Sequence, residues 1–137
     1  MIAPQESSLL GLVSVLAPVI LTGNTAVLVT SHRRPLPAIT LSEVLATSDV
    51  PGGVVNVLTG SAAEIAPWLA SHMDVNAIDL SGVDDPELAK SLEEAAAGNL
   101  KRVLRPSVES TDWAADPTID RIKAFLETKT VWHPVGI

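Results

Sequence analysis

The chain has 137 residues, enough for one domain, with 47% apolar residues, only 3% aromatic residues and a formal net charge of −7. The acidic balance and the scattered basic residues exclude a nucleic-acid partner, which needs a concentrated basic face. No cysteine is present, which excludes disulfides, thiolate metal sites and a cysteine nucleophile within this chain.

The most apolar stretch, residues 9–22, is interpreted as a largely buried helix and not as a signal peptide or a membrane span. It follows Gln5 and Glu6 where a signal peptide has basic residues, and it contains Pro18. It is also shorter than the roughly 20 residues that cross a bilayer. We therefore predict a cytoplasmic protein with no membrane partner.

Apolar periodicity and turn residues predict helices that alternate with strands along the chain. In chain order these are a helix over 7–21, bent or broken near Pro18, a strand over 25–29, a helix from Pro37 to before Pro51, a strand over 54–58, a helix over 61–72, a strand over 77–80, a helix over 85–98, a strand over 100–104, a helix from Asp116-Pro117 and a strand over 129–133. Such alternation is typical of βαβ units, and it predicts an α/β fold with a doubly wound, mostly parallel sheet.

Three helix starts carry specific signals. Pro37 suits the first turn of the second helix. Ser61 with Glu64 three residues later predicts a capping box, and Asp85 before Pro86 predicts an N-cap with a first-turn proline. The side chains predicted to face the core from the later helices are Ala38, Leu41, Val44, Leu45, Ile65, Trp68, Leu69, Leu88, Leu92, Ala95, Ile119, Ile122, Phe125 and Leu126.

Several phrases, in this order and spacing, resemble the coenzyme-binding domain of the NAD(P)-dependent aldehyde dehydrogenases: "LAPVILTGNTAVLV", "PGGVVNVLTG", "LASHMDV", "LSG" and "NLKRV". Near the end, "FLETKTVW" resembles the C-terminal segment of that family, a strand that helps to build the oligomer. The resemblance implies a Rossmann-like sheet with helices on both faces. It also implies that the catalytic domain, which belongs between these two parts, is missing.

The resemblance divides the chain into three parts. Residues 1–105 correspond to a degenerate coenzyme-binding domain, and residues 106–116 form a linker. Residues 117–137 supply a C-terminal helix and an oligomerisation-type strand.

None of the family's catalytic groups has a counterpart. Catalysis in the family begins with a cysteine thiolate, and this chain has no cysteine. The family's oxyanion asparagine corresponds to Glu6, which is expected to cap the first helix together with Ser7 and Ser8. The general-base glutamate corresponds to Pro106. We predict no catalytic residue and no activity of this chain alone.

The coenzyme positions are only partly retained. The family's ribose-binding lysine and acidic residue correspond to Val29 and His32, and two of its glycines correspond to Ala62 and Ala66. The candidate cofactor-binding residues are Pro4, His32, Arg33, Ser81 and Gly82.

The turn that holds the pyrophosphate in the family corresponds to residues 80–83, in which Ser81 and Gly82 preserve the shape and Val83 replaces a hydroxyl. Asp84 and Asp85 add negative charge that opposes an anion. We therefore expect no tightly bound cofactor, with weak binding of NAD or NADP left open.

Asp79 alternates with apolar neighbours on a predicted inner strand, where an unpaired carboxylate is costly. It is expected to bond to a backbone amide or to an arginine, or else to face a cavity. His72 and His133 have no partner at metal-ligand spacing, so no metal site is predicted.

The leading hypothesis is a non-catalytic aldehyde dehydrogenase-like domain or fragment that serves in assembly, as a homo-oligomer or with a full-length relative. One alternative is an NAD(P)-binding module that uses Ser81, Gly82 and the loop of Arg33 and Arg34. Another alternative is one part of a split dehydrogenase whose partner supplies the cysteine.

Overall fold

The computed structural model describes residues 1–105, 111–115 and 118–134. Its helices and strands, in chain order, are α1 (Leu10–Leu21), β1 (Ala26–Val29), α2 (Leu36–Ala46), β2 (Val55–Leu58), α3 (Ala62–Ser71), β3 (Ala77–Asp79), α4 (Pro86–Ala97), β4 (Arg102–Leu104) and α5 (Ile119–Ala124). The order of elements predicted from the sequence up to β4 is confirmed, with strands shortened by one or two residues.

The strands form two parallel pairs, β1 with β2 and β3 with β4. The first three residues of the chain lie between these pairs. Ile2 forms a parallel bridge with Val29 of β1, and its backbone N–H donates to the carbonyl of Asp79 in β3 at 2.9 Å. Residues 1–3 therefore join the two pairs into one layer with the order β2, β1, residues 1–3, β3, β4.

Helices cover both faces of this layer, as predicted, because successive side chains of a strand point to opposite faces. Leu28 of β1 packs in a core with α1, α2 and Phe125. The next residue, Val29, packs in a second core with α3 and α4. The central strands β1 and β3 are thus largely buried, which explains their aliphatic sequences, whereas β2 alternates partly buried and exposed residues.

The helix-start predictions have different outcomes. Pro37 lies in the first turn of α2, and the Asp85 carboxylate accepts a hydrogen bond from the Glu87 N–H at 3.0 Å, so both signals are confirmed. The predicted capping box is wrong: Ser61 is the N-cap of α3, but its side chain makes no capping hydrogen bond. Its backbone carbonyl instead accepts from the Glu64 N–H at 3.1 Å.

Some predicted core positions are wrong because tertiary neighbours do not cover them. Trp68 is 76% exposed, and α3 instead packs through Ala66 and Ala70. Val44, Ile119 and Leu126 are also exposed. The other predicted inward side chains are buried or partly buried against the two cores: Ala38, Leu41, Leu45, Ile65, Leu69, Leu88, Leu92, Ala95 and Phe125. Ile122 is partly buried and lines the groove beside α1.

The first helix is less buried than predicted, and of the two expectations at Pro18, a bend or a break, the break is absent. The helix continues through Pro18 to Leu21. Only one side of it is buried, since Leu10, Val13 and Leu21 are exposed apolar side chains on the other. Within the described residues no helix has the length and apolarity needed to cross a membrane.

The C-terminal part forms the short helix α5, which begins at Ile119 after the N-cap Thr118. The predicted start at 116–117 and most of the predicted linker lie outside the described residues. Residues 129–133 form no strand in this single chain, which corrects the prediction of a strand there. Pairing of this segment with a second chain stays a prediction.

Candidate functional site

The candidate cofactor residues meet at one edge of the sheet. Because all strands are parallel, their carboxyl ends lie on the same side, where α/β proteins bind ligands. The backbone N–H of Gly82 donates to the carbonyl of Ile2 at 3.0 Å, which places Ser81 and Gly82 beside the segment that leads to Pro4. The N–H of His32 donates to the side-chain oxygen of Gln5 at 2.9 Å, which brings the loop after β1 to the same edge.

The turn after β3 uses its own backbone donors internally. The Ser81 N–H donates to the Asp79 carboxylate at 2.8 Å, and the Gly82 N–H is taken by Ile2. The Val83 N–H donates to the carbonyl of Leu80 at 3.0 Å. A pyrophosphate is normally bound by such free N–H groups, so this turn, as folded, does not fit one.

Gly82 has a structural reason to be glycine. A Cβ at this position would lie 1.9 Å from the carbonyl oxygen of Ala3. The absent side chain therefore makes room for the N-terminal segment of the same chain.

Asp79 is fully buried and is paired with Arg121 of α5. Nη1 of Arg121 lies 2.8 Å from Oδ2 of Asp79, and Nη2 donates to the Ser81 hydroxyl at 2.8 Å. The Ser81 hydroxyl in turn donates to Oδ1 of Asp79. The expected partners of Asp79, a backbone amide and an arginine, are both present.

Trp113 completes this cluster, with its ring centroid 5.3 Å from the guanidinium carbon of Arg121. A guanidinium over an aromatic face is stabilised by the ring quadrupole. The sequence reasoning missed both Arg121 and Trp113. The lone carboxylate on an inner strand was the signal for an arginine, but it did not indicate which one.

The loop after β1 carries the second group of candidates. Arg33 and Arg34 lie 3.6 Å and 3.5 Å from the carboxylate of Glu6, in largely exposed ion pairs. Glu6 therefore does not cap α1, whereas the hydroxyl of Ser7 accepts from the Gly11 N–H at 2.8 Å. A phosphate at Arg33 would compete with Glu6.

Two further coenzyme positions differ in their burial. Val29, which stands where the family has its lysine, is fully buried. The side chain of His32 is exposed, and its backbone is held by Gln5. Across residues 1–105, 111–115 and 118–134, no three acidic or histidine side chains gather as metal ligands.

A large apolar groove lies between α1, α5 and the loop before β2, and it shares Arg121 and Trp113 with the Asp79 cluster. Its volume is about 1430 Å³. The exposed side chains of α1, which are 51% (Leu10), 38% (Val13) and 72% (Leu21) accessible, line it together with Trp113 and Ile122. A contiguous apolar surface of this kind is typical of interaction sites.

Comparison with known proteins gives the same family over the same residues. Residues 1–105 match the model of the "Aldehyde dehydrogenase family". The chain is 38% identical over 103 residues to human "Retinaldehyde dehydrogenase 3", covering 74% of this chain and 20% of that protein. It is 32% identical over 104 residues to "Aldehyde dehydrogenase, cytosolic 1" of Elephantulus edwardii, with 75% and 20% coverage.

Solved structures agree with this result. The crystal structure of aldehyde dehydrogenase from Bartonella henselae superposes with a TM-score of 0.60 at 30% identity, over 74% of this chain and 21% of that one. An E. coli NADP dependent enzyme superposes with a TM-score of 0.54 at 31% identity, over 63% and 18%. The fold is therefore α/β and Rossmann-like, and the chain spans about a fifth of the length of these relatives. This chain belongs to the aldehyde dehydrogenase family.

Proposed function

We propose that the chain is a non-catalytic aldehyde dehydrogenase-like domain that serves in assembly, with itself or with a full-length relative. The observation that carries the proposal is the apolar face of α1, which this chain leaves exposed. A cytoplasmic location goes with the proposal, in line with the word "cytosolic" in the name of one relative.

The exposed face suits association because α1, with the sequence LGLVSVLAPVIL, contains no charged side chain. Burying Leu10, Val13 and Leu21 against a partner removes apolar surface from water without desolvating a charge. The C-terminal segment adds further exposed apolar side chains, among them Trp132 at 89%.

The lack of catalysis rests on chemistry that this chain cannot supply. It has no cysteine to attack a carbonyl. At the position of the oxyanion donor it carries Glu6, whose carboxylate accepts hydrogen bonds and pairs with Arg33 and Arg34.

Size-exclusion chromatography with light scattering tests the assembly. We expect the wild-type chain to form a dimer or larger species, or to bind a full-length relative, and Leu21→Glu to shift it to the monomer. Leu36→Glu is the matched control, because Leu36 is equally exposed (74% against 72%) but lies outside the groove. A wild-type chain that is strictly monomeric and indifferent to a full-length relative overturns the proposal.

A second candidate function is NAD(P) binding, by this chain alone or as one part of a split enzyme. The gathering of Pro4, His32 and Ser81 at one sheet edge favours it. Calorimetric titration with NAD and NADP tests binding, and no heat at millimolar ligand excludes NAD(P) binding.

Aldehyde-dependent NADH formation after mixing with a cysteine-bearing partner tests the split enzyme, and no NADH in the mixture excludes the split enzyme.

A further inference from the structure

The apolar groove beside α1 has the size and the lining to take a helix. Its volume of about 1430 Å³ exceeds the roughly 300–1,000 Å³ of sites for small molecules. The 12 residues of α1 extend over roughly 18 Å. One exposed stripe of α1 lines the groove, with members three or four residues apart: Leu10, Val13, Ala17 and Leu21. Apolar residues at the same spacing on a second helix can pack against such a stripe.

The charge around the groove is negative. Asp49, in the loop before β2, and Asp112, next to Trp113, line the groove with exposed carboxylates. Neither is in an ion pair within the described residues. Arg121 is the only basic side chain among the described lining residues, and the Asp79 carboxylate at 2.8 Å compensates its charge. A partner with basic side chains is therefore complementary to the groove.

The two carboxylates lie toward opposite ends of the groove. Because residues 1–3 and β1 are parallel, α1 runs from the carboxyl edge of the sheet back to its amino edge. Asp49 precedes β2 and is therefore on the side of the amino edge. Trp113, the neighbour of Asp112, contacts Arg121, which reaches Ser81 after the carboxyl end of β3. A helix that lies along α1 thus meets one negative charge near each of its ends.

We propose that the groove binds an amphipathic helix of another protein, with apolar residues at positions i, i+3, i+4 and i+7 and a lysine or arginine toward each end. The proposal rests on the proposed assembly function and names the chemistry of the partner. The apolar residues of the partner cover the exposed stripe of α1, and its basic residues pair with Asp49 and Asp112.

A second copy of this chain fits the groove less well. The chain has a net charge of −7. Two copies that pack through α1 bring Asp49 and Asp112 of both chains into the same interface, where like charges repel. The α1 helix of the second copy has no charged side chain to compensate them. Charge complementarity therefore favours a different protein as the partner.

Titration with a synthetic peptide tests the charge of the partner. The probe has about 14 residues, with leucine at the i, i+3, i+4 and i+7 positions, a lysine toward each end and alanine elsewhere. Its twin has glutamate in place of both lysines. At low salt, we expect fluorescence anisotropy of the labelled peptides to give a dissociation constant at least about tenfold lower for the lysine peptide. Equal binding of the two peptides, or no binding of either, overturns the proposal.

A double variant, Asp49→Asn with Asp112→Asn, tests whether this preference arises at the groove. In it, the lysine and glutamate peptides should bind within about twofold of each other. Glu64→Gln with Glu94→Gln is the matched control, since it removes the same charge from exposed positions on α3 and α4, which pack in the other core. A preference for lysine that persists without Asp49 and Asp112, or that the control abolishes, overturns the proposal.

The uncharged change Leu21→Ser tests the apolar contact. It should weaken binding of the lysine peptide at least about tenfold, because less apolar surface is buried. Leu36→Ser is the matched control, since Leu36 is equally exposed and lies outside the groove, and it should leave binding unchanged. With the wild-type chain, isotope labelling and NMR should show amide shifts on peptide binding along α1. Shifts confined to α3 and α4, or equal losses in both variants, overturn the proposal.

Failure of this inference is distinguishable from failure of the proposed function. If neither peptide binds but the wild-type chain self-associates or binds a full-length relative, the helix-docking inference is wrong and assembly stands. If the lysine peptide binds at the groove while the wild-type chain is monomeric and binds no full-length relative, the docking site stands and the proposed function fails.

Discussion

At the scale of single residues, the backbone of the N-terminal segment packs directly against Gly82 of the candidate site. Gly82 is predicted to preserve the shape of a pyrophosphate-binding turn, and a Cβ at this position would lie 1.9 Å from the carbonyl oxygen of Ala3. The N–H of Gly82 is bound to Ile2. A residue that the sequence assigns to a cofactor therefore stabilises the packing of the N-terminal segment in the sheet.

Gly82→Ala should lower the free energy of unfolding by about 3 kcal/mol, since an added methyl group overlaps backbone that cannot move aside without breaking the sheet. Urea denaturation of both proteins measures the change. Gly52→Ala is the matched control, because a Cβ at Gly52 has no atom within 4 Å, and it should change stability by less than about 0.5 kcal/mol. Equal stability of the two variants would contradict the close approach to Ala3.

At the scale of elements, the two helices that precede and follow β3 begin with similar sequence signals and different contacts. Asp85 lies at the N-cap of α4, and its carboxylate bonds the Glu87 N–H. Ser61 is at the N-cap of α3 with an extended backbone, but its hydroxyl makes no such bond. The capping pattern in a sequence therefore indicates where a helix begins. The rotamer of the N-cap side chain decides whether a capping hydrogen bond stabilises the first turn.

Asp85→Ala should cost about 1 kcal/mol of stability, since the first turn of α4 loses an acceptor. Ser61→Ala should cost less than about 0.3 kcal/mol, because α3 loses no capping bond. Thermal and urea unfolding of the two variants measure the difference. A loss at Ser61 equal to that at Asp85 would show that the hydroxyl does cap α3.

At the scale of the whole molecule, the start of the chain lies in the middle of the sheet. The α-amine of Met1 donates to the carbonyl of Val27 at 2.8 Å, and Met1 is 9% exposed. Burial lowers the pKa of this amine from 8.0 to about 6, and the negative charge of Asp79 opposes the change. The folded state therefore favours the neutral amine.

For the 137-residue chain, stability should fall as pH is lowered from 8 to 6. In this window the unfolded chain binds a proton that the folded chain does not, so unfolding becomes easier. The loss should be on the order of 2 kcal/mol, as two pKa units imply. Urea unfolding at pH 6 and pH 8 measures it, with the Nα-acetylated chain as control. The prediction fails if acetylation leaves the pH dependence unchanged.

Local patterns predicted much of the fold because they report interactions between neighbours in sequence. The helix starts at Pro37 and Asp85 and the strand around Leu28 follow from turn residues, caps and β-branched runs. The buried carboxylate of Asp79 was recognised as needing a partner, since burial of a lone charge is costly in any fold.

Residues 1–3 were missed as part of the sheet because three residues show no periodicity, and they are ordered only by β1 and β3 on either side. Trp68 was misplaced because helical spacing marks an apolar face without saying which neighbours cover it.

The sequence by itself determined that this chain folds as an α/β aldehyde dehydrogenase-family domain and carries no cysteine for the family's chemistry. Only the tertiary structure decided that the backbone N–H groups of the turn at Ser81 bond to acceptors of the same chain. It also decided that Arg121, 42 residues from Asp79 in the sequence, pairs with the Asp79 carboxylate. The physical reason is the separation along the sequence of the residues that interact. Composition and short spacing encode local preference, whereas an ion pair across the domain exists only once packing has brought distant segments together.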